Sequence, residues 1–66
     1  MQQSWHPKFR TGDRVRVLSS GLLGKVAEID RQQSAYVVEI NGNPDFRILC
    51  TEDDLSLFPS MTRVSK

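Results

Sequence analysis

The chain has 66 residues, of which 38% are hydrophobic and 26% are charged, the ordinary balance of a soluble globular domain. A chain of this length forms one domain and buries only about 60% of its unfolded surface, so we expect efficient packing or self-association. Nine basic and eight acidic side chains leave a net charge of +1, which argues against a strongly basic nucleic-acid binder but allows a local basic patch.

The single cysteine, Cys50, excludes an internal disulfide and favours a reducing compartment. The polar start of the sequence lacks the apolar region of a signal peptide. No apolar run approaches the length of about 18 residues that a transmembrane helix needs. We therefore expect a cytoplasmic protein with no membrane partner.

The two ends of the chain differ from its middle. Residues 1–8 are polar, contain a proline and show no periodicity, which predicts a flexible arm with Trp5 folding back onto the body. Residues 9–58 carry the predicted strands. Residues 59–66 form a polar, weakly basic tail that we expect to fray.

The first predicted strand spans residues 13–18 and follows a glycine-bearing turn signal. Val15 and Val17 alternate with Arg14 and Arg16, which is the period-2 pattern of a strand with one buried face. The valine face is therefore predicted to pack in the core, and the arginine face to meet solvent.

The second predicted strand spans residues 24–30. Val26 and Ile29 differ in parity, so a bulge is expected between them. A turn at residues 31–34 leads to the third strand, residues 35–40.

Asn41-Gly42 is a strong hairpin signal between the third strand and the fourth, residues 46–50. The inward positions of these two strands are predicted to be Tyr36, Val38, Ile40, Phe46, Ile48 and Cys50. Glu39 and Arg47 point outward on neighbouring strands, and we expect them to form an ion pair worth about 0.2–1 kcal/mol.

Residues 51–55 read as one helical turn with Thr51 as its N-cap. Leu55, Leu57 and Phe58 carry a short last strand, which Pro59 ends. The pattern predicts an all-β fold, a small barrel or sandwich of five strands with one short helical turn before the last strand. The order of these signals resembles an SH3-like five-stranded small barrel. The expected core is Val15, Val17, Val26, Ile29, Tyr36, Val38, Ile48 and Leu55.

The stretch Gly12 to Val17 and the stretch Gly21 to Val26 together resemble the core of KOW-type domains of ribosomal proteins and transcription elongation factors. The ending Asp53-Asp54-Leu55 is also similar to many SH3-like modules. The match covers roughly residues 9–58. This resemblance implies an SH3-like barrel and a nucleic-acid-binding or ribosome-associated role.

A second resemblance is to the type II, plasmid-encoded dihydrofolate reductases, short SH3-like chains that form a tetramer around a central pore. Phe9, the segment Gly12 to Arg16 and the segment Ala35 to Glu39 carry it. The family's pore strand corresponds to Arg47–Cys50, which lacks its Gln-Ile-Tyr, and Val17 replaces a lysine. The resemblance implies a shared scaffold and assembly. If a pore forms, it also implies NADPH as cofactor, with Arg47, Ile48 and Leu49 lining the pore.

No catalytic or metal site is predicted. His6 and Cys50 are the only histidine and cysteine, whereas a zinc site needs three or four such ligands. Cys50 is expected to be a packed core thiol. The acidic cluster Glu52, Asp53 and Asp54 is expected to cap its turn rather than to catalyse.

Two binding surfaces are predicted. Arg14, Arg16, Lys25 and Arg47 can share an outer face, where Tyr36 or Trp5 would supply a stacking ring for nucleic acid. The alternative is a solvated face whose charge is offset by Glu28, Asp30 and Glu39. Val37 and Leu49 are apolar residues with outward parity, which suits a homo-oligomeric contact.

Three functions remain open from the sequence. The first is a non-enzymatic SH3-like binding or scaffold module whose main partner is a second copy of itself. The second is a type II reductase-like tetramer with a ligand pore. The third is a KOW-like module that binds nucleic acid.

Overall fold

Five antiparallel β-strands form one sheet in the computed structural model, which describes residues 5–58. The strands are β1 (Arg14–Val17), β2 (Leu23–Asp30), β3 (Ala35–Ile40), β4 (Arg47–Thr51) and β5 (Leu55–Leu57), and a 3-10 turn, Glu52–Asp54, precedes β5. Their order in the sheet is β4-β3-β2-β1-β5, so the last strand returns to pair with the first. The all-β prediction is confirmed.

The first four residues of the predicted arm, residues 1–8, lie outside the described residues, as does the predicted tail at residues 59–66 with its strand-ending proline. Within the described part of the chain, no helix is long and apolar enough to cross a membrane.

Alternating side chains build the core as predicted. Val15 and Val17 are 0% and 2% exposed, whereas Arg14 and Arg16 are exposed. The buried cluster is completed by Phe9, Val26, Tyr36, Val38, Ile40, Cys50 and Leu55. The expected packing of Cys50 as a core thiol is therefore confirmed.

Some burial predictions are wrong at the margin of the core. Ile29 and Ile48 are only partly buried. Ile48 lies on β4, which has a neighbour on one side only, and Ile29 follows an irregularity in β2. Phe46 is 43% exposed because it belongs to the turn before β4: its N–H donates to the carbonyl oxygen of Asn43 at 2.9 Å. The alternation of buried side chains in β4 therefore begins after Phe46.

Thr51 occupies the predicted N-cap position with an extended backbone, but its side chain makes no capping hydrogen bond. The turn is a short 3-10 segment that closes through the backbone, with the Leu55 N–H donating to the Glu52 carbonyl oxygen. The Asp54 carboxylate holds it instead, because it accepts hydrogen bonds from the Ser19 N–H at 2.9 Å and the Ser19 hydroxyl at 2.8 Å. The turn is thereby tied to the end of β1.

A glycine allows β2 and β3 to approach closely. A Cβ at Gly24 would lie 2.6 Å from the carbonyl oxygen of Glu39 and 2.7 Å from Cγ1 of Val38. Further along β2, the register shifts between Val26 and Glu28, which confirms the predicted bulge.

The backbone conformation at Asn41-Gly42 confirms the predicted hairpin turn. Asn41 and Gly42 have φ angles of 52° and 70°, the left-handed values that a type I′ turn requires. The Asn43 N–H donates to the carbonyl oxygen of Ile40 at 2.9 Å and closes the turn.

Trp5 folds back onto the sheet, as expected. Its indole Nε1 donates to Oε1 of Glu52 at 2.9 Å, and its ring meets Tyr36 edge-on at 5.7 Å between centroids. The Tyr36 hydroxyl oxygen accepts the backbone N–H groups of Lys8 at 2.8 Å and Phe9 at 3.3 Å. The segment before β1 is thus held over one end of the core.

Candidate nucleic-acid interface

An open groove of about 380 Å³ lies beside the paired strands β1 and β2, next to the hairpin turn that follows β3. Its walls combine two cations, two apolar side chains and polar turn backbone. The lining residues are Arg14, Leu23, Gly24, Lys25, Asn41, Gly42 and Phe58. No carboxylate is among them, so the groove suits an anionic ligand.

The register of β1 and β2 sets the charges of the groove. Arg14 lies directly opposite Lys25, and both are exposed. Directly opposed side chains have Cβ atoms about 4.5–5.5 Å apart, and like charges in that position are destabilising. Arg16 follows on the same face of β1, opposite Leu23. Three cations therefore share this part of the surface.

The neighbouring acidic residues are engaged elsewhere. Glu39 lies opposite Lys25 in the register of β2 and β3, but its Oε2 is 3.9 Å from Nη2 of Arg47. The Asp30 carboxylate accepts hydrogen bonds from its own turn, including the Gln32 N–H at 3.1 Å. Within residues 5–58, the Arg47–Glu39 contact is the one ion pair shorter than 4.0 Å. The charge of the groove is therefore not offset by close contacts.

Phe58 supplies the aromatic surface of the groove. Its N–H donates to the carbonyl oxygen of Arg14 at 2.9 Å, which fixes it at the end of β5. The guanidinium carbon of Arg16 lies 5.3 Å from the centroid of its ring. Aromatic rings and guanidinium planes are the surfaces on which unpaired bases stack.

The structure brings together three of the four cations predicted for nucleic-acid binding. Arg14 and Lys25 line the groove and Arg16 lies beside it against the Phe58 ring, whereas Arg47 lies beyond β3 and pairs with Glu39, as expected from the sequence. That pair is long and partly exposed, so its contribution to stability is small.

The aromatic residue at this site is the one that sequence reasoning missed. Tyr36 is 0% exposed and Trp5 packs against it, so neither ring reaches the groove. Phe58 was predicted only as part of the last strand, and Leu23 lies just before the predicted start of the second strand at residue 24. No local pattern signals their position, because it depends on the pairing of β5 with β1 and of β2 with β1.

The residues predicted for a pore or an oligomer contact lie on β3 and the edge strand β4. Arg47 and Leu49 are exposed, whereas Ile48 is half-buried against the core. Val37 lies directly opposite Leu49, which is 51% exposed. The pairing of Val37 with Leu49 extends an apolar patch over two strands.

The cysteine thiol is buried, and two carboxylates of the acidic turn are engaged in hydrogen bonds. Cys50 is 5% exposed, and burial, with a smaller effect from Asp54, raises the pKa of its thiol above the ordinary 9.0. Glu52 and Asp54 accept hydrogen bonds from Trp5 and Ser19. In the part of the chain that the structure describes, no three His, Cys, Asp or Glu side chains come together as a metal site.

Comparison of the chain with protein-family models, with curated proteins and with solved structures finds no match. The basic groove and the exposed surface of β3 and β4 are therefore the grounds for assigning a function.

Proposed function

We propose that this protein is a binding module with an SH3-like barrel, whose ligand is a single-stranded nucleic acid held in the basic groove. One observation carries the proposal. Arg14 and Lys25 oppose each other beside Phe58, and no carboxylate of the described residues lies within 4.0 Å of either cation. Such an arrangement costs stability in the free protein, and a bound phosphate removes that cost.

Three features of the sheet support the barrel assignment. The last strand returns to β1 after a 3-10 turn, as in SH3-like modules. The close approach at Gly24 and the bulge in β2 both favour a strongly curved sheet. The motif resembling KOW-type domains spans the same strands that form the groove.

The groove has the parts that single-strand binding requires. Arg14 and Lys25 supply two cations at the spacing of adjacent strands, so one phosphate can contact both. The Arg16–Phe58 pair supplies a flat surface for a base. With a net charge of only +1, long-range attraction is weak, and binding depends on these local contacts.

The test is fluorescence anisotropy with a short, labelled poly-uridine strand over a range of salt concentrations. Because Arg14 and Lys25 contact one or two phosphates, the logarithm of the association constant falls with the logarithm of salt with a slope of about −0.7 to −1.4. We expect Arg14→Gln and Lys25→Gln each to weaken binding about tenfold, as loss of one charge-assisted contact would, and to flatten the slope.

Arg31→Gln is the matched control. Arg31 is exposed in the turn after β2, away from the groove lining, and the substitution removes the same charge. It should leave affinity and slope unchanged. Undetectable binding at low salt contradicts the proposal, and so does an equal loss in all three variants, which would indicate a response to net charge alone. Tighter binding to a duplex than to the single strand would also contradict it.

A second proposed function is self-association through the Val37–Leu49 patch. The supporting observation is that these two apolar side chains lie opposite each other on the outer face, with half of Leu49 exposed. When a second surface covers exposed apolar side chains, the free energy of the system falls, which favours association.

Light scattering coupled to size-exclusion chromatography tests this second function. The mean mass should rise with protein concentration, and Val37→Asp should reduce the mass to that of a monomer. The control is Glu28→Asp, which keeps the charge of Glu28, the residue opposite Val37 on β2. A strict monomer that Val37→Asp leaves unchanged contradicts self-association.

A further inference from the structure

The outer edge of β4 carries free backbone hydrogen-bonding groups in a regular array. β4 pairs only with β3, at one side of the sheet. The Ile40 N–H donates to the carbonyl oxygen of Phe46 at 2.9 Å, which sets the alternation of the ladder. Every second residue after Phe46, namely Ile48 and Cys50, therefore bonds to β3.

By the same alternation, the backbone groups of Arg47, Leu49 and Thr51 point away from β3. Outside the ladders, no backbone hydrogen bond among residues 5–58 uses them. The other edge strand, β5, has only three residues and offers fewer such groups. β4 is thus the longer open edge of the described sheet, and an open edge is a template for pairing with another strand.

We propose that β4 pairs with β4 of a second copy of this chain, antiparallel, about a twofold axis at Leu49. The three outward-facing residues are spaced symmetrically about Leu49. Centring the pair there places Leu49 opposite the partner's Leu49 and Arg47 opposite the partner's Thr51. Each chain then uses all three of its free N–H groups and carbonyl oxygens, and the two sheets continue as one.

The side chains support a second copy as the occupant. Leu49 meets the partner's Leu49, and the apolar patch with Val37 becomes continuous across the axis. Arg47, whose side chain is 44% exposed, comes to lie beside the partner's acidic turn, which directly follows the partner's Thr51. No like charges oppose each other within the paired strands.

This inference rests on the proposed self-association and specifies its geometry. The paired strands have five residues each, and the contact is smaller than the roughly 800 Å² per partner of a standard stable interface. We therefore expect a dimer that forms and dissociates with concentration.

The experiment is cysteine cross-linking in a Cys50→Ala background with a thiol reagent whose span is about 5 Å, near the Cβ spacing of opposed residues. Leu49→Cys should cross-link to itself. Arg47→Cys alone and Thr51→Cys alone should not, because each residue lies about 13 Å along the strand from its own copy. A mixture of Arg47→Cys and Thr51→Cys should cross-link.

Amide hydrogen exchange gives a second measurement on the unmodified chain. Exchange at Arg47, Leu49 and Thr51 should slow as concentration rises, whereas exchange at Ile48 and Cys50 should not change. A monomeric mass up to about 1 mM contradicts both the self-association and this geometry.

A dimer in which Arg47→Cys cross-links to itself, or in which the β4 amides stay unprotected, contradicts the edge pairing alone. Self-association through the outer face would then stand. Nucleic-acid binding is measured separately and does not depend on either result.

Discussion

The Tyr36 hydroxyl oxygen joins the segment before β1 to the sheet. It is fully buried and accepts two backbone N–H groups, those of Lys8 and Phe9. Phe9 is itself a core residue at 2% exposure, so its N–H has no access to water when the hydroxyl is removed. A single oxygen atom therefore satisfies a buried donor and holds Phe9 over the core.

We expect Tyr36→Phe to lower the free energy of unfolding by about 1–3 kcal/mol, the cost of a buried donor without a partner. Urea denaturation followed by the fluorescence of Trp5 measures it, since Trp5 is the only tryptophan and packs on this ring. Amide exchange at Phe9 should quicken.

Trp5→Phe, followed by circular dichroism, is the comparison variant for this prediction. It removes the hydrogen bond to Glu52, which is only part-buried, and should cost about 0.5–1 kcal/mol. A Tyr36→Phe variant as stable as the wild type would mean that water or another group takes over the two N–H groups.

At the scale of elements, the approach of β2 to β3 depends on the absence of one side chain. A Cβ at Gly24 would lie at 2.6 Å from a backbone oxygen, which cannot rotate away as a flexible side chain can. The strands would have to separate where β2 also pairs with β1 at Val15.

Gly24→Ala should therefore destabilise the protein by about 3 kcal/mol, the upper part of the usual range for overpacking. Gly21→Ala is the matched control, because space at Gly21 is open and only its φ of 79° resists a side chain. We expect it to cost about 1 kcal/mol. Chemical denaturation of both variants measures the difference.

Equal losses at Gly24 and Gly21 would contradict the close approach of β2 and β3. In the Gly24→Ala variant, NMR shifts at Val38 and Glu39 should also change, whereas Gly21→Ala should leave them as they are.

For the whole molecule, the charges proposed to bind the ligand are expected to lower the stability of the free protein. Arg14 faces Lys25, so removing one of the two charges relieves a repulsion of about 0.2–1 kcal/mol at low salt. Arg16 faces Leu23 and Ser56 instead and lies over the Phe58 ring. Its removal relieves no opposed charge and loses the ring contact.

Arg14→Gln should thus raise the melting temperature by a few degrees in low salt, with the gain fading as salt screens the pair. Arg16→Gln should lower it by a similar amount. Differential scanning calorimetry at two ionic strengths tests both changes. A loss of stability in Arg14→Gln equal to that in Arg16→Gln would indicate that Arg14 is a structural residue.

Short-range sequence patterns are enough to predict the local order of this protein. The alternation of Val15 and Val17 with arginines, the left-handed Asn41-Gly42 turn and the irregularity in β2 were all predictable. Each depends on residues close together in the chain. Burial of every second side chain, and the backbone freedom of a turn, are properties of a few neighbouring residues.

The set of side chains that forms the groove depends on the pairing of the strands in the folded sheet. Arg14 opposes Lys25 because of the register of the consecutive strands β1 and β2. Phe58 lies against Arg14 and Arg16 because β5, far along the chain, pairs with β1. The ion pair between Arg47 and Glu39 was expected. That this pair leaves Lys25, which lies opposite Glu39, without a close carboxylate was not expected. Register depends on the turn that joins two strands and on which face packs against the core, so the pattern within one strand does not encode it.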